Sequence, residues 1–148
     1  MISPEVLRRY PYFTQTTDER LREIAMAADE RTFPAGETIF REGDKADELY
    51  IVVEGEVDIQ YTLGSGEQRT VDTLVPGELM MWSALVEPYR STAVGTTRLA
   101  TKLIAIQAEA LRSLCDQDHE MAHHILLSLV KLLATRLEGA RVQLATID

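Results

Sequence analysis

The segment His119-Glu120-Met121-Ala122-His123 is a formal match to the HExxH motif of zinc peptidases. On a helix, His119 and His123 share one face, as the zinc ligands of a metallopeptidase do, with the glutamate as general base. A catalytic zinc also needs a third protein ligand and an open coordination position. Because no glutamate-bearing helix or second lobe follows His123, we interpret the segment as the solvated, capped first turn of a helix. A zinc hydrolase is kept as an alternative.

Charge and length restrict the classes of function. The 148 residues fit a single domain, 1–148. Its 15 Lys and Arg against 24 Asp and Glu give a formal net charge of −9, which disfavours binding to nucleic acid. The single cysteine, Cys115, excludes an internal disulfide. Neither a secretory signal nor an apolar run of about 20 residues is recognisable, so we expect a cytoplasmic protein without membrane contact.

The elements that must position a site change character twice along the chain. Residues 1–30 have a helical pattern: Ser3 is a candidate N-cap before Pro4, and Thr16 and Glu19 have capping-box spacing. Apolar residues then recur at helical spacing, at Leu21, Ile24, Ala25 and Ala28.

Residues 31–106 predict β-structure. Seven of the eight glycines lie there, and the apolar period falls to two, as in Val57, Ile59 and Tyr61 and again from Leu99 to Ile106. Short alternating strands separated by glycine-containing turns are typical of an all-β barrel or jelly roll. Residues 107–148 return to helix, with a short piece from Glu109 to Cys115 and then a long helix from His119 to about Thr146.

The long helix carries a 4-3 apolar repeat, a seam defined here by Leu126, Val130, Leu133, Leu137, Ala140, Leu144 and Ile147. Spacing of this kind over three heptads is typical of a helix that pairs with another helix. The repeat predicts a homodimer, with Leu133 and Leu137 near the middle of the contact. The alternative is a helix that is wholly buried on its own barrel.

Two segments of the β region resemble the cyclic-nucleotide-binding domain. They are Phe33-Pro-Ala-Gly36-Glu-Thr-Ile-Phe-Arg-Glu-Gly43-Asp44 and Ala46-Asp-Glu-Leu-Tyr-Ile-Val-Val-Glu-Gly55-Glu-Val57. The family includes the catabolite activator protein, the regulatory subunit of cAMP-dependent protein kinase and gated ion channels. The resemblance implies a mainly β jelly-roll barrel with flanking α: N-terminal helices and a long C-terminal helix. Gly43 and Gly55 would lie where strands turn, at positions suited to positive φ.

The family's phosphate-binding cassette has an altered counterpart here. The pattern Leu-x-x-Gly-Asp-x-Phe-Gly-Glu-x-Ala-Leu aligns without a gap to residues 74–85, which makes Gly77-Glu78 the preceding turn. Met81-Trp82 then stands in place of the family's Gly-Glu, whose glutamate accepts a hydrogen bond from the ribose 2′-hydroxyl. An indole cannot accept that bond, although Trp82 could stack on a flat ring or simply fill the pocket. In the alternative register, Glu78 is the ribose ligand.

The rest of the cassette matches the resemblance. Ser83 and Ala84 would open a short helix with free N–H groups for an anion. Arg90 falls at the family's phosphate-binding arginine, and Ser91 and Thr92 follow it with hydroxyls. The resemblance therefore implies a ligand site made of Trp82, Ser83, Ala84, Arg90, Ser91 and Thr92.

The sequence as a whole predicts a non-catalytic sensor domain, a homodimer that binds a small anion without a cofactor or metal. A cyclic nucleotide, cAMP or cGMP, would be bound weakly. In the family's transcription factors a helix-turn-helix follows the long helix; since none follows here, we expect output through the dimer or through a separate effector protein. The alternative from another class is a dimeric interaction module with a degenerate pocket that binds nothing.

Overall fold

Eight strands form the barrel in a computed structural model of the protein, which describes residues 1–147. The strands are β1 (Ala28–Phe33), β2 (Thr38–Phe40), β3 (Glu48–Glu54), β4 (Val57–Thr62), β5 (Gln68–Leu74), β6 (Leu79–Met80), β7 (Val94–Thr97) and β8 (Thr101–Gln107). They pair antiparallel in two four-stranded sheets, with the orders β1-β8-β3-β6 and β2-β7-β4-β5.

Helices precede and follow the barrel in the chain and pack against it. They are α1 (Pro4–Arg8), α2 (Asp18–Met26), α3 (Ala108–Gln117) and α4 (His119–Ala145), with short 3-10 helices at Pro11–Phe13 and Trp82–Leu85. This arrangement confirms the predicted jelly roll with N-terminal helices and a long C-terminal helix.

The N-terminal helices differ from the prediction in three details. Ser3 occupies the N-cap of α1 without a side-chain bond. The N-cap of α2 is Thr17, whose hydroxyl accepts the Arg20 N–H at 3.4 Å, and not its neighbour Thr16, which is buried. Ala28 does not extend α2; it begins β1 opposite Ile106, because pairing with β8 outweighs its helical spacing.

The barrel core follows the period of two. Strands β3 and β8 supply its most deeply buried apolar side chains, including Leu49, Ile51, Leu103, Ile104 and Ile106. The predicted alternation from Leu99 was too long, since Leu99 is exposed before β8 begins.

One glycine of the barrel is required by space as well as by backbone angle. Gly55 has φ 92°, and a Cβ atom there would lie 2.4 Å from the Ala100 carbonyl oxygen. A side chain at this turn would therefore force β3 and β8 apart.

The long helix α4 leaves much of its apolar seam exposed. Its first half packs on the core through Met121, Ile125 and Leu129. Along the seam, Val130 is 59% exposed and Leu144 is 69% exposed. The alternative of a helix wholly buried on its own barrel is therefore wrong. Within residues 1–147, no helix has the length and apolar character needed to cross a bilayer.

Tyr50 is predicted to make the stability of the fold decrease at alkaline pH. Burial, followed by the negative charge of Glu48, raises the pKa of Tyr50 to about 12. Between about pH 10 and 12 the unfolded chain loses this proton while the folded protein keeps it, so stability falls as the pH rises, by about 1.4 kcal/mol per unit. We expect Tyr50→Phe to reduce this slope, measured by urea unfolding below and within the window.

Removal of the Tyr50 hydroxyl should change the free energy of unfolding little at neutral pH, because the hydrogen bond from Tyr50 Oη to Glu48 Oε1 is long, at 3.3 Å. Burial also raises the pKa values of Tyr10 and Tyr12, so part of the slope should remain in the variant. An identical slope in both proteins would show that Tyr50 does not contribute.

Candidate functional site

A cavity of about 660 Å³ lies between the barrel and α4. Strands β2, β4 and β5 form one wall, the chain around the short helix Trp82–Leu85 forms a second, and the second half of α4 forms the third. Its lining is mainly apolar, with Phe40, Ile59, Leu74, Met81 and Leu133 among its members. The volume is within the usual range for a small-molecule site.

The backbone at Met81 sets the entry to the short helix. Met81 has φ 64°, a left-handed conformation that costs a residue with a side chain about 1–2 kcal/mol. Glycine adopts it readily, and glycine is the family's residue here when Met81-Trp82 is aligned with Gly-Glu. The buried Met81 side chain lines the cavity, and that apolar burial offsets the strain.

The short helix has fewer free N–H groups than the sequence predicted. It is a 3-10 helix, and the Ala84 N–H already donates to the Met81 carbonyl at 3.0 Å. Ala84 is fully buried and does not line the cavity. An i→i+3 bond thus removes Ala84 as a donor, which leaves the backbone N–H of Ser83 as the nearer candidate.

Of the other predicted site residues, all except Arg90 line the cavity. Trp82, Ser83, Ser91 and Thr92 line the cavity. The Ser91 hydroxyl is buried and donates to the Ala93 carbonyl at 2.7 Å. Four of the six predicted residues are therefore brought together around one space.

Arg90 does not line the cavity but directly precedes Ser91, which does. Its exposed side chain donates from Nη1 to the Gly43 carbonyl at 3.1 Å. Its backbone forms an isolated bridge with Lys45. The backbone of this segment is thus anchored, while the guanidinium has one hydrogen bond to a carbonyl and is exposed to solvent.

A charged triad in the cavity was not predicted as a unit. Arg136 of α4 donates from Nη1 to Asp72 Oδ1 at 2.6 Å and from Nη2 to Glu78 Oε2. Glu78 Oε1 also accepts the Val75 N–H at 2.8 Å. Asp72 and Glu78 are six residues apart, but Arg136 lies about 60 residues further along the chain, so no local spacing indicates the triad. The Glu78 carboxylate, the alternative ribose ligand, is therefore already engaged in this structure.

The histidines of the first turn of α4 point to solvent. His119 and His123 are exposed, and the Asp118 side chain accepts the Met121 N–H at 3.0 Å as the helix cap. Among residues 1–147, no group of three or more His, Cys, Asp or Glu side chains is placed to hold a metal ion. The predicted cap is present.

The sequence profile of the cyclic nucleotide-binding domain matches residues 30–118. The chain belongs to the cyclic nucleotide-binding domain family. The match covers the barrel, the cassette and α3, and it ends before α4. The resemblance stated from the sequence is therefore confirmed, while α4 lies outside the matched segment.

Curated relatives include two bacterial regulators. The chain is 25% identical over 143 residues to a CRP-like cAMP-activated global transcriptional regulator of Mycobacterium tuberculosis, covering 97% of this chain and 62% of that protein. It is 33% identical over 114 residues to the cyclic AMP receptor protein of Thermus thermophilus, covering 77% of this chain and 51% of that protein. The chain thus spans between half and two thirds of the length of these relatives.

A solved structure matches nearly the whole fold. The crystal structure of a putative cyclic nucleotide-binding protein from Geobacter metallireducens has 33% identity and a TM-score of 0.83. The alignment covers 93% of this chain and 99% of that one. The fold of this chain is accordingly shared with that protein over nearly its whole length.

Proposed function

We propose that this domain is a non-catalytic sensor that binds a cyclic nucleotide or a similar small anion in the cavity between the cassette and α4. The observation that carries the proposal is the convergence of Trp82, Ser83, Ser91 and Thr92 on a cavity of about 660 Å³. The left-handed backbone at Met81 supports the register in which these residues form the cassette. The cAMP-related descriptions of the curated relatives support the ligand class.

We propose that Arg90 binds the phosphate, and the charges of the cavity lining support this role. The lining contains the two carboxylates of Asp72 and Glu78 against the single guanidinium of Arg136, which they already engage. An anion therefore needs a further positive charge. Arg90 is held by one hydrogen bond to the Gly43 carbonyl, and a change of side-chain rotamer would bring its planar fork toward two phosphate oxygens.

Trp82 is expected to make cyclic-nucleotide binding weak. It lines the cavity where the family's ribose-binding glutamate would stand, and its indole accepts no hydrogen bond. A lost charged hydrogen bond costs about 1.5–3 kcal/mol, which is roughly ten- to a hundredfold in affinity. We expect Trp82→Glu to strengthen cAMP binding by about that factor, measured by titration calorimetry.

The matched control for Trp82→Glu is Trp82→Gln, because glutamine has nearly the same size as glutamate but carries no negative charge. It should gain less than Trp82→Glu, since its amide oxygen is a weaker acceptor than a carboxylate. Sub-micromolar binding of cAMP by the unmodified protein would contradict the prediction and favour Glu78 as the ribose ligand.

Calorimetry of the unmodified protein tests the function itself. Titration with cAMP and cGMP should give saturable heat, while AMP, which has the same base and sugar with an open phosphate, should bind less well. No heat with either cyclic nucleotide, at concentrations up to millimolar, would overturn the cyclic-nucleotide assignment and leave a different small anion or the degenerate-pocket alternative.

We further propose that the domain acts as a homodimer through the exposed seam of α4. Leu137 belongs to both the seam and the cavity lining, so a partner helix on the seam would adjoin the ligand site. Output would then pass through the dimer or to a separate effector protein. The net charge of −9 makes nucleic acid an unfavourable partner for this domain.

A further inference from the structure

The side chain of Arg112 connects α3 to the cassette at two points. Its Nη1 donates to the Ala84 carbonyl at 2.6 Å, at the end of the short helix. Its guanidinium carbon lies 4.1 Å from the centre of the Tyr89 ring. None of the ion pairs among residues 1–147 involves Arg112, so its contacts to the cassette are not in competition with a carboxylate.

The Ala84 contact satisfies a carbonyl that the helix itself leaves without a partner. The last carbonyls of a short helix need donors from outside, and Ala84 is fully buried. A guanidinium is suited to this position because it donates to the carbonyl while its flat face contacts an aromatic ring. One side chain thus restrains both the helix end and the loop that follows.

Tyr89 is the residue in that loop most in need of restraint. It has φ 57°, a left-handed conformation that disfavours residues with a side chain. Its N–H donates to the Val86 carbonyl at 2.9 Å, and its carbonyl accepts the Ala46 N–H at 2.8 Å. Because Arg90 follows directly, the backbone of Tyr89 determines where the phosphate-binding side chain starts.

We propose that Arg112 is a positioning residue for the cassette: it holds the end of the short helix and the strained Tyr89 in one arrangement and so places Arg90 for the anion. This inference rests on the proposed function, because it assigns a role in the same site. Arg112 itself does not line the cavity and acts through the segment that it holds.

The first test is affinity for cAMP. Arg112→Met removes one hydrogen bond and one cation–π contact, which we expect to weaken binding by about five- to thirtyfold. Arg112→Lys keeps a hydrogen-bond donor but loses the planar face, so its affinity for cAMP should lie between those of the unmodified protein and Arg112→Met. Tyr89→Phe keeps the ring and should bind like the unmodified protein, while Tyr89→Leu should follow Arg112→Met.

The second test is amide hydrogen exchange without ligand, a readout that distinguishes positioning from general stability. In Arg112→Met, the amides of Val86, Tyr89 and Ala46, whose hydrogen bonds restrain the loop, should exchange at least about tenfold faster. Amides of β3 and β8 should be unchanged. Acrylamide quenching of Trp82, the single tryptophan, should increase in the same variant.

The outcomes separate this inference from the proposed function. Unchanged affinity together with unchanged loop exchange in Arg112→Met would overturn the positioning role and leave the function intact. Faster exchange that extends equally through β3 and β8 would also overturn it, because Arg112 would then be a general stabilising residue. If the unmodified protein binds neither cyclic nucleotide, the cyclic-nucleotide assignment fails, and the exchange experiment still decides whether Arg112 positions the loop.

Discussion

Arg90→Ala is expected to weaken cAMP binding by roughly a hundred- to ten-thousandfold. Because the unmodified protein is expected to bind cAMP weakly, the variant should give no measurable heat of binding. The estimate assumes two charge-assisted hydrogen bonds to phosphate oxygens at about 1.5–3 kcal/mol each. The triad does not compensate, because Asp72 and Glu78 already hold the guanidinium of Arg136. The measurement is titration calorimetry, carried out in the Trp82→Glu background if the unmodified protein binds too weakly to quantify.

Two controls sharpen this result. Arg90→Lys keeps the charge without the fork and should lose part of the affinity. Arg98→Ala removes another exposed arginine, whose side chain lies 3.9 Å from the Glu56 carboxylate and outside the cavity lining, and this variant should bind cAMP normally. An Arg90→Ala protein with unchanged affinity would show that the cassette register, and with it the assignment of the phosphate site, is wrong.

The barrel was predictable because its determinants are local. Alternation with a period of two indicates which side chains enter a barrel core, and Ile51 and Ile104 are buried as that pattern requires. Gly43 and Gly55 have the positive φ angles expected at the strand turns. The capping box failed by one residue because Thr16 and Thr17 have the same capping chemistry, and tertiary packing buries the first of them.

The charged contacts of the site could not be predicted from the sequence, because they join residues that are distant in the chain. Arg136 meets Asp72 and Glu78 only after α4 folds back over the barrel, so no spacing along the chain connects them. The same applies to Arg112 and Tyr89, which lie in different elements. A single sequence contains the residue types for these pairs but does not indicate which of its 15 Lys and Arg face which of its 24 Asp and Glu.

The charge of the cavity constrains the ligand more than its shape does. Two carboxylates and one guanidinium line a site that is proposed to receive an anion. In the proposed function the phosphate would bind Arg90 and not the triad, while donor groups of a base or sugar would suit the free carboxylate lone pairs of Asp72. Electrostatics would thus orient the ligand independently of any contact with Trp82.

Substitutions in the seam of α4 are expected to have the largest effect on this domain. Val130→Asp combined with Leu144→Asp should convert a dimer into a monomer while the barrel stays folded. Val130 and Leu144 are 59% and 69% exposed in the single chain and do not line the cavity. Leu133 and Leu137, the residues at the middle of the seam, both line it, so changes there would disturb the ligand site as well.

The size of the expected loss in dimer stability follows from the two-fold symmetry of the dimer. A two-fold dimer presents each seam residue twice, and full burial of one such side chain is worth about 1.5–3 kcal/mol. Because Val130 and Leu144 are already partly buried in the single chain, at 59% and 69% exposed, two substitutions per chain remove at most about 4–8 kcal/mol of apolar burial, which approaches the whole binding free energy of a micromolar dimer. Charged residues brought together at the contact add repulsion to this loss.

Sedimentation measures the outcome, and a matched variant tests its specificity. Ala134→Asp with Ala145→Asp adds the same two charges at exposed positions of α4 outside the 4-3 repeat, so this variant should remain dimeric. Circular dichroism should show the same strand content in all three proteins. An unmodified protein that sediments as a monomer at tens of micromolar would refute the seam, because an apolar stripe of this length would then have no partner. If the Val130 and Leu144 variant still sediments as a dimer, two copies meet through another face.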